Sequence, residues 1–101
     1  MNAYELMFII DPDLEEEAVQ KVVAAVKEAI SGVGGEVTEE RMMGKRRLAY
    51  EIKKKADGLY VLLYFQAPPA AMDELNRALR INEQVLRYLI TRAKHHAPVT
   101  E

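Results

Sequence analysis

Residues 36–67, EVTEERMMGKRRLAYEIKKKADGLYVLLYFQA, decide the fold, because two strand-like runs follow each other here with a short turn between them. The first run, 36–53, changes the parity of its apolar positions across Gly44, which predicts a β-bulge or a sharp bend at this glycine. The second run, 59–67, is apolar on both faces and therefore predicts a central strand. We expect the turn at 55–58, since Asp-Gly is a strong hairpin signal.

A strand and a helix precede this hairpin, and a helix and a strand follow it. Residues 2–10 alternate with apolar side chains on both faces, which predicts another central strand. Asp13 stands where its carboxylate can cap a helix, and the apolar periodicity after it predicts a helix as far as about Ser31. After the hairpin, the pattern predicts a second helix over about 70–80 and a last strand over 85–93.

The order βαββαβ corresponds to two βαβ halves in split form. It predicts an α+β domain over 1–93, in which a four-stranded antiparallel sheet carries both helices on one face and the first and third strands are central. Residues 94–101 are expected to form a flexible tail. The other face of the sheet is then open, and an apolar patch on it is typical of a partner surface. Parity places these residues there: Met7, Ile9, Tyr60, Leu62, Tyr64 and Arg87.

Composition excludes several classes of protein. The 101 residues contain no Cys, which removes disulfides and cysteine-based zinc sites. The N-terminal segment has no basic lead like that of a signal peptide, and no apolar run approaches the ~20 residues of a membrane span. The only histidines, His95 and His96, lie in the expected tail and lack a third ligand nearby. We therefore expect a cytoplasmic protein with no cofactor, no metal and no catalytic activity.

The charges are unevenly distributed along the chain. Residues 1–40 carry a net charge of −8 and residues 41–55 a net charge of +6, although the whole chain carries only −2. Such asymmetry is typical of a localised anion-binding surface on an acidic body. Leu48, Tyr50 and Ile52 are expected to anchor the basic strand in the domain. The basic residues beside these anchors then suit phosphate oxygens: Lys45, Arg46, Arg47, Lys53 and Lys54.

The segment from Gly44 to Ile52 resembles a known family. Glycine, two basic residues, Leu-Ala-Tyr, any residue and Ile form the signature of the bacterial small-subunit ribosomal proteins conventionally numbered six. Further similarities extend over nearly the whole chain: Tyr4-Glu5, Asp11-Pro12, Leu79-Arg80-Ile81-Asn82 and the run from Val85 to Lys94.

The resemblance implies a ferredoxin-like fold, no catalysis, and binding to the central domain of small-subunit ribosomal RNA. It also implies a heterodimer with small-subunit protein number eighteen during ribosome assembly, whereas the isolated chain is expected to be a monomer. Arg46 and Arg47 match the basic pair of the signature. Further C-terminal positions match basic positions of the family or extend them: Arg80, Arg87, Arg92 and Lys94.

Two other binding modes remain open from the sequence. The run 58–65 has some similarity to the aromatic strand of an RNA-recognition motif, whose exposed rings stack on bases. However, Asp57 stands where that motif has a basic residue, and Leu62 occupies an open-face position. A regulatory domain that binds a small ligand on its open sheet face is the second alternative, and it would use the same apolar residues without any RNA.

Overall fold

The computed structural model describes residues 1–93, in which one antiparallel sheet of four strands carries two α-helices. The sheet order is β2-β3-β1-β4, so that β1 and β3 are the central strands, and the predicted order βαββαβ is confirmed. The expected tail 94–101 lies outside the described residues. The elements are β1 (Asn2–Ile10), α1 (Glu16–Gly32), β2 (Glu36–Ile52), β3 (Lys55–Ala67), a short 3₁₀ helix (Pro69–Ala71), α2 (Met72–Arg80) and β4 (Val85–Arg92).

The core lies between the two helices and one face of the sheet. In β1, Leu6, Phe8 and Ile10 are completely buried, as the alternation predicts. Helix α1 contributes mainly valine and isoleucine side chains, and α2 contributes Leu75 and Leu79. Burying each such side chain stabilises the fold by about 1.5–3 kcal/mol. This face of the sheet is therefore fully used by the core, and any binding surface has to lie elsewhere.

The pairing of β2 with β3 shifts register at three places. One shift falls between Met42 and Gly44, where Gly44 has a φ of 91°, so the predicted bulge is confirmed. The largest shift follows the Arg47–Asp57 pair, because the next pair along the hairpin is Ile52–Lys55. Four residues of β2 then lie opposite a single residue of β3. This long bulge bends the tip of the hairpin away from the plane of the sheet.

The predicted turn at 55–58 is wrong. The chain turns two residues earlier, at Lys53 and Lys54, whose φ angles of 51° and 67° are both left-handed, as a two-residue type I′ hairpin turn requires. Gly58 instead lies inside β3, where a Cβ atom would collide with the side chain of Ile9 and lie 3.2 Å from Leu48 Cδ2. The glycine is needed for close packing within the sheet, not for the turn.

The start of α1 also differs from the prediction. The helix begins at Glu16, and Glu15 at the N-cap makes no side-chain capping bond, so Asp13 is not a cap. Instead, the backbone N–H of Asp13 donates to Oδ1 of Asp11 at 2.9 Å, which forms a local turn before the helix. The Asp13 carboxylate is directed to Lys55 in β3. The acidic side chain therefore tethers the hairpin.

Candidate nucleic-acid and protein interface

The sheet face opposite the helices carries the residues that parity predicts. Cross-strand pairs set Met7 beside Leu62, Ile9 beside Tyr60, and Ile9 beside Arg87 on the other side. The expectation that this whole patch is exposed is wrong, however. Ile9 and Leu62 are only 6% and 8% exposed. Met7 and Tyr60 are half-buried, and so is Tyr64 further along β3, while Arg87 is exposed.

The long bulge of β2 explains why part of this face is covered. It begins at Leu48, whose side chain packs with Ile9 over Gly58 and is itself only 8% exposed. Ile9, Leu48 and Leu62 are buried but do not belong to the main core on the helix side of the sheet. The bent hairpin thus builds a small second apolar cluster on the face that would otherwise be open.

Tyr50 is not the buried anchor that alternation predicts, because its side chain is 60% exposed. Its hydroxyl oxygen accepts a hydrogen bond from Arg87 on β4, and the guanidinium carbon of Arg87 lies 5.5 Å from the centre of the tyrosine ring. The pair combines a hydrogen bond with a cation–π contact. Tyr50 therefore connects the hairpin to the far edge strand. Alternation fails here because the residue lies within the bulge.

Beyond the hairpin, a shallow apolar depression remains on this face. Met7, Ile9 and Leu89, together with Arg87, line a volume of about 400 Å³. Leu89 is 56% exposed and was missed by the sequence analysis. The alternation of Arg87, Leu89 and Thr91 in β4 could have identified it, since every second residue of a strand faces the same side. An exposed leucine beside half-buried apolar side chains is suited to contact with a protein.

Tyr64 lies at the other end of the face, in a polar setting. Burial raises the pKa of its hydroxyl, and the negative charge of Glu5 adds to the effect. The guanidinium carbon of Arg41 lies 6.0 Å from the centre of its ring. The backbone carbonyl of Tyr64 accepts a hydrogen bond from the Thr38 hydroxyl at 3.2 Å. One side of this ring is therefore already covered by charged neighbours.

The predicted basic residues of β2 lie at the end of the sheet where the hairpin turns. Lys45, Arg46 and Arg47 follow the Gly44 bulge and are exposed. Arg46 pairs with Gly58 and therefore shares the face of the apolar cluster, whereas its two neighbours point toward the helix side. Lys53 and Lys54 are exposed at the turn. None of these five cations has an acidic side chain within ion-pair distance among residues 1–93.

Lys55, by contrast, is engaged within the fold. Its Nζ atom lies 2.5 Å from Oδ2 of Asp13 and 3.4 Å from Oδ1 of Asp11. The hydrogen bond from Lys55 lowers the pKa of the Asp13 carboxyl, and the same bond raises the pKa of Lys55. This ion pair holds the tip of the hairpin against the loop before α1. The cations at 45–47 and 53–54 form no ion pair within residues 1–93, although Lys45 is close enough to Asp13 to help lower its pKa.

Only some of the C-terminal basic residues lie at the hairpin end of the sheet. Arg80 ends α2, and it lines a depression together with Lys53 and Arg87. Arg92 pairs with Tyr4, whereas Arg87 pairs with Ile9. At about 3.4 Å per residue along a strand, five residues separate the two arginines by ~17 Å. Lys94 lies outside the described residues, and therefore the structure does not place it.

Three kinds of feature are absent from the described residues. Residues 1–93 include no group of three potential metal ligands and no buried polar or charged side chain. No helix in this part of the chain is long and apolar enough to cross a membrane. What residues 1–93 do present is a basic end and a partly covered apolar face on one small sheet.

Comparisons with known proteins define the family. The family model for "Ribosomal protein S6" matches residues 3–92. Small ribosomal subunit protein bS6 of Moorella thermoacetica is 46% identical over 97 residues, which are 96% of this chain and 99% of that protein. Its counterpart in an Arthrobacter species is 43% identical over 101 residues, the full length of both. The chain therefore belongs to the ribosomal protein S6 family.

A solved structure agrees with this assignment. The crystal structure of 30S ribosomal protein S6 from Thermotoga maritima has a TM-score of 0.85 at 35% identity, over 91% of this chain and 87% of that one. The ferredoxin-like fold expected from the resemblance is confirmed. Family membership makes the chain a non-catalytic protein of the small ribosomal subunit, in the cytoplasm.

Proposed function

We propose that the chain binds small-subunit ribosomal RNA, in the central domain, together with small-subunit protein number eighteen during assembly. The single observation that carries this proposal is the separation of two surfaces on one sheet. Five exposed cations without acidic partners in residues 1–93 lie at the hairpin end. An apolar depression with the exposed Leu89 lies beside β4. The first surface suits phosphates and the second suits a protein.

The basic end supports backbone contacts more than base stacking. Arginine forks match phosphate oxygens in pairs, and such contacts fix position without reading sequence. Stacking on bases needs exposed rings. Tyr60 and Tyr64 are half-buried, and Tyr64 has charged neighbours on its ring. We therefore assign the aromatic face to the protein partner. The isolated chain is proposed to be a monomer whose net charge of −2 keeps its own RNA affinity low.

A titration of labelled central-domain RNA at several salt concentrations, with and without the partner, tests the proposal. We expect salt-sensitive binding that becomes strong only with the partner present. The Arg46→Ala, Arg47→Ala double variant should lower the slope of log K against log salt by about two, since each lost phosphate contact contributes about 0.9. A Lys21→Ala, Lys27→Ala variant on α1 removes the same charge and should keep the slope. An equal loss in both variants would mean that only net charge matters.

The partner surface is tested separately. Tyr60→Ser and Leu89→Ser should weaken heterodimer formation, because each removes apolar area from the exposed part of the face. The salt slope for RNA should remain unchanged in both variants, since neither removes a cation. Ile81→Ser is the control: Ile81 is 75% exposed but lies after α2, away from the sheet face. Normal heterodimer affinity in the two face variants would place the partner elsewhere.

A further inference from the structure

Three cations from three separate elements line one depression at the hairpin end. Lys53 comes from the turn between β2 and β3, Arg80 from the last residue of α2, and Arg87 from β4. We call this depression, with its three cationic residues, the basic notch. Its volume is about 260 Å³, and none of the described residues that line it is acidic. This volume is below the roughly 300–1,000 Å³ of pockets for drug-sized ligands. The notch therefore suits a small anion.

The other residues that line the notch are mostly apolar. Leu79 and Val85 are only 2% and 5% exposed, whereas the three cationic residues are exposed. The two guanidinium groups can each offer paired N–H donors, and the ammonium group acts as a compact positive charge. A tetrahedral oxyanion is the ligand that such a set of donors recognises.

The hairpin contributes to the position of two of the three cations. Lys53 lies in the turn with a left-handed φ of 51°, which fixes the course of its backbone but not its side chain. Arg87 donates to the hydroxyl oxygen of Tyr50, which orients the guanidinium without placing an acidic side chain beside it. Arg87 is therefore preorganised, which lowers the entropy lost when an anion binds, whereas the exposed side chains of Lys53 and Arg80 become ordered on binding.

We infer that the basic notch binds one phosphate group of the RNA backbone. The inference rests on the proposed function for the source of that phosphate, and it goes further by assigning three cations to a single group. A contact with the phosphate alone is independent of base identity.

Inorganic phosphate tests the notch without RNA. The isolated, isotope-labelled protein is titrated with phosphate at constant ionic strength, with chloride as the compensating ion, and amide shifts are recorded. We expect saturable shifts confined to the hairpin tip and to residues 79–88. The Lys53→Gln, Arg80→Gln, Arg87→Gln variant should bind phosphate at least about tenfold more weakly, since each charge-assisted hydrogen bond contributes substantially. Shifts that never saturate, or that saturate equally in the variant, overturn the inference.

A charge-matched variant controls for net charge. Lys21→Gln, Lys27→Gln and Arg77→Gln also remove three positive charges from α1 and α2; Lys21 and Arg77 are exposed, and Lys27 is half-buried and paired with Glu40. Arg77 is one helical turn from Arg80, so this variant also tests how local the site is. We expect phosphate to bind it as it binds the unaltered protein. A similar loss in both variants means that phosphate responds to overall charge, and that result also overturns the inference.

The RNA salt slope tests whether the three cations share one phosphate. With the partner saturating, the notch variant should lower the slope by about one, because one phosphate contact contributes about 0.9. Three separate phosphate contacts would lower it by nearly three, and an unchanged slope would remove the notch from the RNA; each result overturns the assignment. If the unaltered chain shows no salt-sensitive RNA binding with its partner, the proposed function fails, while the phosphate titration still judges the notch by itself.

Discussion

The hairpin turn offers a test that joins stability with binding. Lys53 and Lys54 both have left-handed φ angles, 51° and 67°, which a residue with a Cβ atom adopts only at a cost. Such a conformation costs about 1 kcal/mol or more at each residue. Glycine avoids this cost, but it loses more backbone entropy on folding, and this loss cancels part of the gain in stability. Replacement of the pair by Asn-Gly, the preferred type I′ sequence, should therefore raise the free energy of unfolding by about 1–2 kcal/mol.

Urea unfolding measures this change directly. With a slope of about 1–3 kcal/mol per molar urea for a small domain, the midpoint should rise by roughly 0.3–2 M without a change in slope. The variant also loses two positive charges from a basic hairpin, which could stabilise the fold by itself. The Lys53→Gln, Lys54→Gln variant removes the same charges but keeps the strained backbone. This variant should show at most a small part of the increase in the free energy of unfolding.

The same variant should bind RNA less well, although it is more stable. Both lysines are exposed cations of the basic end, and Lys53 lines the basic notch. The Asn-Gly and Gln-Gln variants should therefore lose salt-sensitive RNA affinity to the same extent, because both lose the same charges. If Asn-Gly is no more stable than Gln-Gln, the strain argument for this turn is refuted. If RNA affinity stays normal in both, the turn does not contact RNA.

Two further predictions concern the contacts that shape the hairpin. Gly58→Ala should destabilise the fold by about 2 kcal/mol in urea unfolding, because its Cβ would collide with Ile9, whereas Gly32→Ala, with open space around it, should cost nothing. Asp13→Asn should make the free energy of unfolding fall less steeply as the pH is lowered. The pKa of Asp13 is lowered from 3.8 by the hydrogen bond from Lys55, so its contribution is present above that value and is lost as pH falls through the lower folded pKa. Equal slopes of stability against pH below about pH 5, in variant and unaltered chain, would contradict the second prediction.

The central part of the fold could be predicted from the sequence, because period-two alternation and burial agree there. Strand β1 has the predicted bounds, and Leu6 and Phe8 occupy the core face as expected. The parity change at Gly44 also identified a real bulge, since a one-residue insertion moves every later side chain to the other face. These signals are local and strong, and tertiary structure does not override them.

The hairpin tip could not be predicted in the same way. Asp-Gly is a strong local turn signal, yet packing of Ile9 and Leu48 against Gly58 requires this glycine inside β3. The turn therefore forms at two lysines with no intrinsic preference for it. The resulting bulge also buries part of the face that was expected to be open. Non-local contacts decide all of these features, and no single window of the sequence contains them.

Arg87 belongs to both surfaces, because it lines the apolar depression and the basic notch. It also donates to Tyr50, so its removal frees the hairpin from β4. A single Arg87 variant can therefore weaken partner and RNA binding together without identifying either surface. Variants at Leu89 affect only the depression, and variants at Arg80 only the notch. If Arg87 joins the two surfaces, its effect on RNA affinity should be larger with the partner present than without it, whereas the effect of Arg80 should be the same in both.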